Sequence, residues 1–149
     1  MPIYGYDPAN YPLNQNEWSF PVTEILHIIG FVILIGTIMI VDLRLLGVGM
    51  RRQTSAQLVK DTAPWTLLGL TMIIITGPMI FLSDPVLYIY NEAFRFKITM
   101  LIICIIFNWT IHRKVAVSPE PGGAGTLIAG LSILMWSSII FAGIFIAFV

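Results

Sequence analysis

The third apolar stretch of the sequence, residues 94–114, carries a regular series of side chains that could do chemistry. At spacings of 7, 4 and 4 residues, the series comprises Lys97, Cys104, Asn108 and His112. At about 100° per residue, these spacings keep all four on one side of a helix. Polar groups are costly in lipid, so this side should face protein or water. The stripe fits a reactive site, and it also fits a set of hydrogen bonds that ties a helix bundle together.

The composition indicates the kind of protein that positions this stripe. Of the 149 residues, 57% are hydrophobic and only 11% are charged. Four apolar runs, residues 21–46, 64–82, 94–111 and 125–149, are each near the length of about 20 residues that a helix needs to cross a bilayer. The sequence therefore predicts an all-α integral membrane protein whose four transmembrane helices form an antiparallel up-down-up-down bundle. Residues 21–149 would form this single domain.

Residues 1–20 are predicted to form a tail outside the membrane. The tail lacks Lys and Arg, so it shows no cleavable signal peptide, and the first span itself must target the chain. Aromatic side chains prefer the level of the lipid headgroups. The tail has five that could anchor it there: Tyr4, Tyr6, Tyr11, Trp18 and Phe20.

Several residues mark expected helix boundaries. Thr54, with Gln57 three residues later, is typical of a capping box and predicts a short surface helix before the second span. Pro78 should kink or break the far end of that span, because proline lacks a backbone N–H. Pro85 after an acidic residue predicts a short interfacial helix, and Asn91 can cap the third span.

Basic residues predict the orientation, because short loops rich in Lys and Arg stay in the cytoplasm. Six of the eight basic residues flank the first and third connections, namely Arg44, Arg51, Arg52, Lys60, Arg113 and Lys114. Only Arg95 and Lys97 lie towards the other side. Both termini should therefore lie outside the cytoplasm.

Depth in the bundle sorts the polar residues into two clusters. His27 and Lys97 lie near the starts of parallel spans, whereas His112 lies about 22 Å from Lys97 along the third helix. One metal or haem iron therefore cannot take both histidines of one chain. The predicted outer cluster comprises Glu24, His27, Lys97, Met79 and Met100. The predicted inner cluster comprises Asp42, Asn108, His112, Arg44 and Arg113.

Three interpretations of these clusters stay open. They can be hydrogen-bonded networks near an interface, they can handle a proton or substrate, or a histidine can bind haem b or copper. His27 is the best candidate metal ligand. The lone Cys104 excludes an intramolecular disulfide, and a thiol in an apolar span keeps its proton. A net charge of zero argues against nucleic acid, and no soluble-enzyme motif assigns a catalytic residue.

The chain resembles an uncharacterised bacterial family of small four-span membrane proteins. The resemblance rests on the run ILHIIGFVILIGTIMIVDLRLLGVG, then APWTLLGL, FRFKITMLIICIIFN and His112. Within these runs, H-x-x-G followed by D-L-R-L-L-G is the most specific part. It implies a four-helix fold in the bacterial inner membrane and no particular activity.

Two characterised families are similar more loosely. His27 and Lys97 match a His and a Lys of the copper-resistance D family, and Leu26-His27-Ile28 with Lys97 matches the bacterial membrane protoporphyrinogen oxidase, which binds haem. Asp42-Leu43-Arg44 stands where that oxidase has Pro-Arg, and Asn108 stands near the position of its later His. These similarities imply copper or porphyrin chemistry at His27.

The sequence thus favours a small inner-membrane protein that is a subunit, accessory protein or scaffold of a membrane assembly, without catalysis of its own. Its short loops leave little room for a water-exposed active site. Its partners would be lipid, other membrane subunits or further copies of itself. The alternative is a haem- or copper-binding redox protein that uses His27 in the outer leaflet, with a second ligand from Met79, Met100 or a neighbouring chain.

Overall fold

The computed structural model describes residues 5–149, so the predicted headgroup anchor Tyr4 lies outside the described residues. The described chain is helical and has no strand. Its helices are α1 (Ser19–Leu45), α2 (Ser55–Ser83), α3 (Pro85–Tyr90), α4 (Glu92–Ala116) and α5 (Gly122–Phe145). All except α3 are long and apolar enough to cross a membrane. The predicted all-α class with four membrane-spanning helices is confirmed.

Helix α2 starts nine residues earlier than the apolar run predicted. Thr54 Oγ1 accepts a hydrogen bond of 3.1 Å from the Gln57 amide, so the capping residue is correct, but it caps the spanning helix itself. The prediction of a separate surface helix is wrong because the polar first turns continue into the apolar part. The helix also passes Pro64 and reaches Ser83 without breaking at Pro78. One lost backbone hydrogen bond at each proline is tolerated where a neighbouring helix supports the segment.

Helices α1 and α2 form the closest pair in the bundle. A Cβ added to Gly69 would lie 2.6 Å from the Leu34 amide nitrogen and 2.7 Å from the Gly30 carbonyl oxygen. Glycine therefore lets the two backbones touch, as small residues do between membrane helices. Further along the same interface, the Thr66 hydroxyl donates to Thr37 Oγ1 at 2.9 Å.

Helices α3 and α4 start as the capping residues predicted. Asp84 Oδ1 accepts from the Leu87 amide at 3.1 Å, and Asn91 Oδ1 accepts from the Phe94 amide at 2.9 Å. The Asn91 side-chain amide also donates to the carbonyls of Ile146 at 3.0 Å and Val149 at 2.8 Å. Asn91 thus fastens the start of α4 to the segment that follows α5.

Helix α4 changes its winding before it ends. An α-helical part, Glu92–Phe107, leads into a π-helical turn, Asn108–His112, and a last α-helical turn, Arg113–Ala116. In the π-turn the Arg113 amide donates to the Asn108 carbonyl, five residues back. Such turns often occur at functional sites. This one lies where the polar stripe of α4 reaches His112.

The helices pack in the spatial order α2, α1, α5, α4. Helix α1 contacts α2 and α5, and α5 contacts α4, whereas α2 and α4 come close mainly at the turn Arg113–Ala116. The main core is apolar and comprises Leu34, Ile38, Ile73, Cys104, Trp136 and Ile139. Cys104 is fully buried there, and Trp136 Nε1 has no hydrogen-bond partner within residues 5–149. A seam between α2 and α4 is left beside this core.

The part of the tail that the structure describes covers the end of α2. Two 3-10 turns, Pro8–Asn10 and Pro12–Asn14, place polar side chains against the last turn of that helix. The Tyr6 hydroxyl donates to the Leu82 carbonyl, and the Asn14 side-chain amide donates to the Ser83 carbonyl at 2.7 Å. The tail therefore satisfies carbonyl groups that the helix leaves unpaired at its C-terminus.

Candidate functional site

The inner cluster contains a buried hydrogen-bonded triad of Asp42, His112 and Ser132. His112 Nε2 donates to Asp42 Oδ1 at 2.6 Å, and the Ser132 hydroxyl donates to Asp42 Oδ2 at 2.7 Å. The side chains come from α1, α4 and α5, and no more than 3% of any of the three residues is exposed. One carboxyl group therefore joins three helices. The predicted proximity of Asp42 and His112 is present in the structure.

The order of the groups in this triad decides what chemistry it can do. In a nucleophilic triad the serine donates to the histidine, and the histidine is oriented by the acid. Here both Ser132 and His112 donate to Asp42, so the imidazole is not placed to take a proton from the hydroxyl. The arrangement instead satisfies both oxygens of a buried carboxyl group, which is what a polar link between membrane helices requires.

The other predicted members of the inner cluster lie apart from Asp42. Arg44 Nε donates to the Gln53 carbonyl at 2.5 Å, so it holds the loop after α1 rather than the carboxyl group. Asn108 and Arg113 line a cleft beside His112 and make no side-chain hydrogen bond or ion pair with Asp42. Of the alternative partners predicted for Asp42, which were Asn108, His112 and a nearby arginine, the structure places His112 on the carboxyl group, together with Ser132.

His27 is the central residue of the outer cluster, and α2 fixes its ring. The Thr76 hydroxyl donates its one hydrogen to the Met72 carbonyl at 2.7 Å, so its oxygen accepts from His27 Nδ1, which lies 2.8 Å away. In the neutral ring this leaves Nε2 without a hydrogen. Nε2 has no hydrogen-bond partner among the described residues. A histidine held in this way has the tautomer and the orientation of a metal ligand.

The Lys97 ammonium group lies against the same Phe31 ring that the His27 ring contacts. Its Nζ lies 5.0 Å from the centroid of the Phe31 ring, and the His27 ring centroid lies 5.6 Å from that of Phe31. A Cβ added to Gly143 would lie 3.5 Å from this Nζ, so the ammonium group lies against α5 at this glycine. Phe31 thus separates the two nitrogen groups of the outer cluster, and the cation–π contact supplies part of the stabilisation that water would otherwise give.

The other residues predicted for the outer cluster make no hydrogen bond or ion pair with His27 or Lys97 within residues 5–149. Glu24 is exposed and forms no ion pair within residues 5–149. Met100 packs against the apolar core, and Met79 is half-buried in α2. We predicted that the Glu24 carboxylate would hold the His27 ring. The Thr76 hydroxyl holds it instead, because the imidazole faces α2 and not the preceding turn of α1.

Three site residues were missing from the prediction. Ser132 and Thr76 are small hydroxyl residues in apolar helices, where such side chains usually bond to their own backbone, and Phe31 looks like any apolar core residue. Phe31 does follow His27 by four residues, a spacing that puts them on one helix face. That spacing was the one available signal.

Comparison with known proteins adds a family but no activity. Among residues 5–149, no three His, Cys, Asp or Glu side chains come together in a group that could hold a metal ion. No curated protein and no solved structure matches the chain. A family of unknown function, DUF6644, matches residues 19–149, which include all four spanning helices and every residue of both clusters. The chain therefore belongs to the DUF6644 family.

Proposed function

We propose that this protein is a small multi-pass subunit or accessory protein of a membrane assembly in the bacterial inner membrane, without catalysis of its own. The burial of Asp42 between His112 and Ser132 carries the proposal. The most polar point of the membrane-spanning part joins three helices and leaves no room for a substrate at the carboxyl group. Buried polar groups that are fully hydrogen-bonded favour one arrangement of the helices in a bundle.

The apolar surface of α4 leaves space in the membrane for a partner helix beside the bundle. Only 17% of its most apolar window is buried within the bundle, against 22% to 28% for the other three spans. Lipid can cover such a surface, and so can helices of another subunit or a second copy. Because α4 also carries His112, the least covered span contributes one side chain of the buried triad.

Isolation from native membranes tests this role. The chain, tagged at its own locus and extracted with surrounding lipid in polymer nanodiscs, should give native mass spectra of a complex with a fixed ratio to another membrane protein or a second copy. Extraction in a series of detergents, from mild to harsh, should dissociate that complex in steps. A single chain under every mild condition would contradict the proposal.

The orientation proposal has its own test. Because six of eight basic residues flank the connections 46–54 and 117–121, these connections should stay in the cytoplasm. A periplasm-dependent phosphatase fused after Val149 should be active, and the same enzyme fused within 117–121 should be inactive. A fluorescent protein that requires the cytoplasm should give the opposite pattern. Fluorescence from the fusion after Val149 would show that the C-terminus lies in the cytoplasm and would contradict the proposed orientation.

A haem- or copper-binding role at His27 is the second candidate, and one observation favours it. Thr76 holds Nδ1, so Nε2 is the nitrogen that would bind the metal. The bound group would supply electron transfer, while Thr76 and Phe31 would fix the ring that holds it. The second ligand would come from Met79, Met100 or a neighbouring chain.

Substitution of His27 distinguishes the two roles. In the subunit role, His27→Gln should keep insertion and folding, with a loss in the free energy of unfolding of about 1 kcal/mol, because one interhelical hydrogen bond is weakened. Thr76→Val removes the same bond but leaves the imidazole, so it is the matched control. Absorption spectra and metal analysis of the unmodified protein and of both variants check the result. Haem or stoichiometric copper that disappears in His27→Gln, but not in Thr76→Val, would establish the redox role instead.

A further inference from the structure

A cleft with a volume of about 50 Å³ opens between α1, α2 and α4 beside the inner cluster. This is room for about four water-sized groups. Its walls are largely apolar, with Ile38 and Val41 from α1 and Val59 and Leu67 from α2. Its polar wall comes from the π-turn of α4 and the residue after it. Within the spanning region, this is where an apolar surface and several hydrogen-bonding groups converge.

The α4 wall carries side-chain donors that have no partner. The Asn108 amide and the Arg113 guanidinium make no side-chain hydrogen bond or ion pair with any residue in 5–149, whereas His112 donates through Nε2 to Asp42. The threonine hydroxyls of the opposite wall already donate: Thr62 to the Leu58 carbonyl at 2.8 Å, and Thr66 to Thr37. The free donors of the cleft are therefore concentrated on one side.

The π-turn explains why these donors lie together. In an α-helix, Arg113 would lie about 140° around the axis from Asn108, since five residues turn by about 100° each. The bond from the Arg113 amide to the Asn108 carbonyl widens this turn, so Arg113 lies closer to the helix face of Asn108 than it would in an α-helix. The wider turn thus turns the arginine towards the cleft that Asn108 and His112 already face.

The charge on the wall of the cleft favours an anionic ligand. Asp42 does not line the cleft, because it is enclosed by His112 and Ser132. Of the residues that line the cleft, Arg113 is the one Lys, Arg, Asp or Glu, and it gives this wall a positive charge. Basic pockets between helices at the cytoplasmic side of a membrane attract anionic lipid headgroups.

The geometry points to a binding site for an anionic phospholipid, which rests on the orientation proposed above and not on the subunit role. Its phosphate would accept hydrogen bonds from the Arg113 guanidinium and from the Asn108 amide. One acyl chain would lie in the seam between α2 and α4, past Leu67, because these two helices come close mainly at the turn Arg113–Ala116. The phosphate thus meets the free donors, and the chain meets the apolar walls.

Native mass spectrometry of the whole chain with added phosphatidylglycerol tests the site. The protein should retain phosphatidylglycerol over phosphatidylcholine by about tenfold, and Arg113→Gln and Asn108→Leu should each reduce retention about fivefold to tenfold. Lys114→Gln is the matched control. It removes an equal charge one residue further on, and Lys114 does not line the cleft. Thermal unfolding of each variant in the same detergent checks that the bundle is intact.

Four outcomes would overturn the inference. Equal losses for Arg113→Gln and Lys114→Gln would indicate diffuse attraction to the basic surface. Equal retention of phosphatidylcholine would remove the role of charge. Saturable binding of inorganic phosphate without lipid would show a site for a free anion. Displacement of phosphatidylglycerol by a neutral quinone analogue would assign the cleft to a different amphiphile.

Discussion

Asp42→Leu should lower the free energy of unfolding by about 2–3 kcal/mol, because it leaves His112 and Ser132 buried without their shared acceptor. Leucine fills a similar space, so the loss reports the missing hydrogen bonds rather than a cavity. Reversible unfolding in mixed micelles or steric trapping in bicelles measures it. Asp61→Leu is the control, since Asp61 is exposed and its removal should change stability by less than about 0.5 kcal/mol.

Double-mutant cycles identify the partners of the carboxyl group. We expect coupling of about 1–2 kcal/mol between Asp42 and His112, and of about 0.5–1 kcal/mol between Asp42 and Ser132. Coupling with Asn108 should be near zero, because the amide lies in the cleft and makes no bond to the carboxyl group. Coupling near zero for both His112 and Ser132 would disprove the triad as the link between α1, α4 and α5.

Gly69→Ala should destabilise the protein by about 1–3 kcal/mol, although alanine favours helices. The added methyl group would lie 2.6 Å from a backbone nitrogen of α1, and backbone cannot move aside as a flexible side chain can. The α1–α2 pair must therefore separate. Gly36→Ala is the matched control: a Cβ there has no neighbour within 4 Å, so this change should be neutral or stabilise by up to about 1 kcal/mol.

An unfolding midpoint for Gly69→Ala equal to that of Gly36→Ala would show that the close approach of α1 and α2 is not needed for stability. Gly30→Ala offers an independent check from the other helix. There the added Cβ would lie 2.7 Å from Met72 Cβ and 3.2 Å from the Gly69 carbonyl oxygen, and a change of rotamer moves neither atom, so Gly30→Ala should destabilise the protein by a similar amount.

The sequence was sufficient for the spans and for grouping Asp42 with His112, but it left His112, Asn108 and a nearby arginine as alternative partners of the carboxyl group. Apolar runs of about 20 residues set the four helices, and the depth of a residue follows from its distance to the helix end. The start of α2 was missed because its first turns, from Ser55, are polar and look like loop. Hydropathy reports the apolar part of a helix and not its hydrogen bonds.

The details of both clusters depended on features that residue types do not show. The π-turn at Asn108–His112 is a backbone hydrogen-bond pattern, and it changes which residues of α4 share a face. The choice of Thr76 over Glu24 as the partner of His27 depends on the rotation of α2 against α1. The bond from Ser132 to Asp42 could be predicted only from the position of α5 in the bundle. The small side chains of α5 allow close packing but do not determine that position.

The long sequence separation within the triad has a consequence for how the chain is made. The ribosome adds His112 seventy residues after Asp42, and Ser132 ninety residues after it. The first hairpin can dock through Gly30 and Gly69 as soon as both its helices are in the bilayer, but its carboxyl group then waits for the second half. A nascent or truncated chain therefore displays an unsatisfied acid inside the membrane, and only the complete chain conceals it.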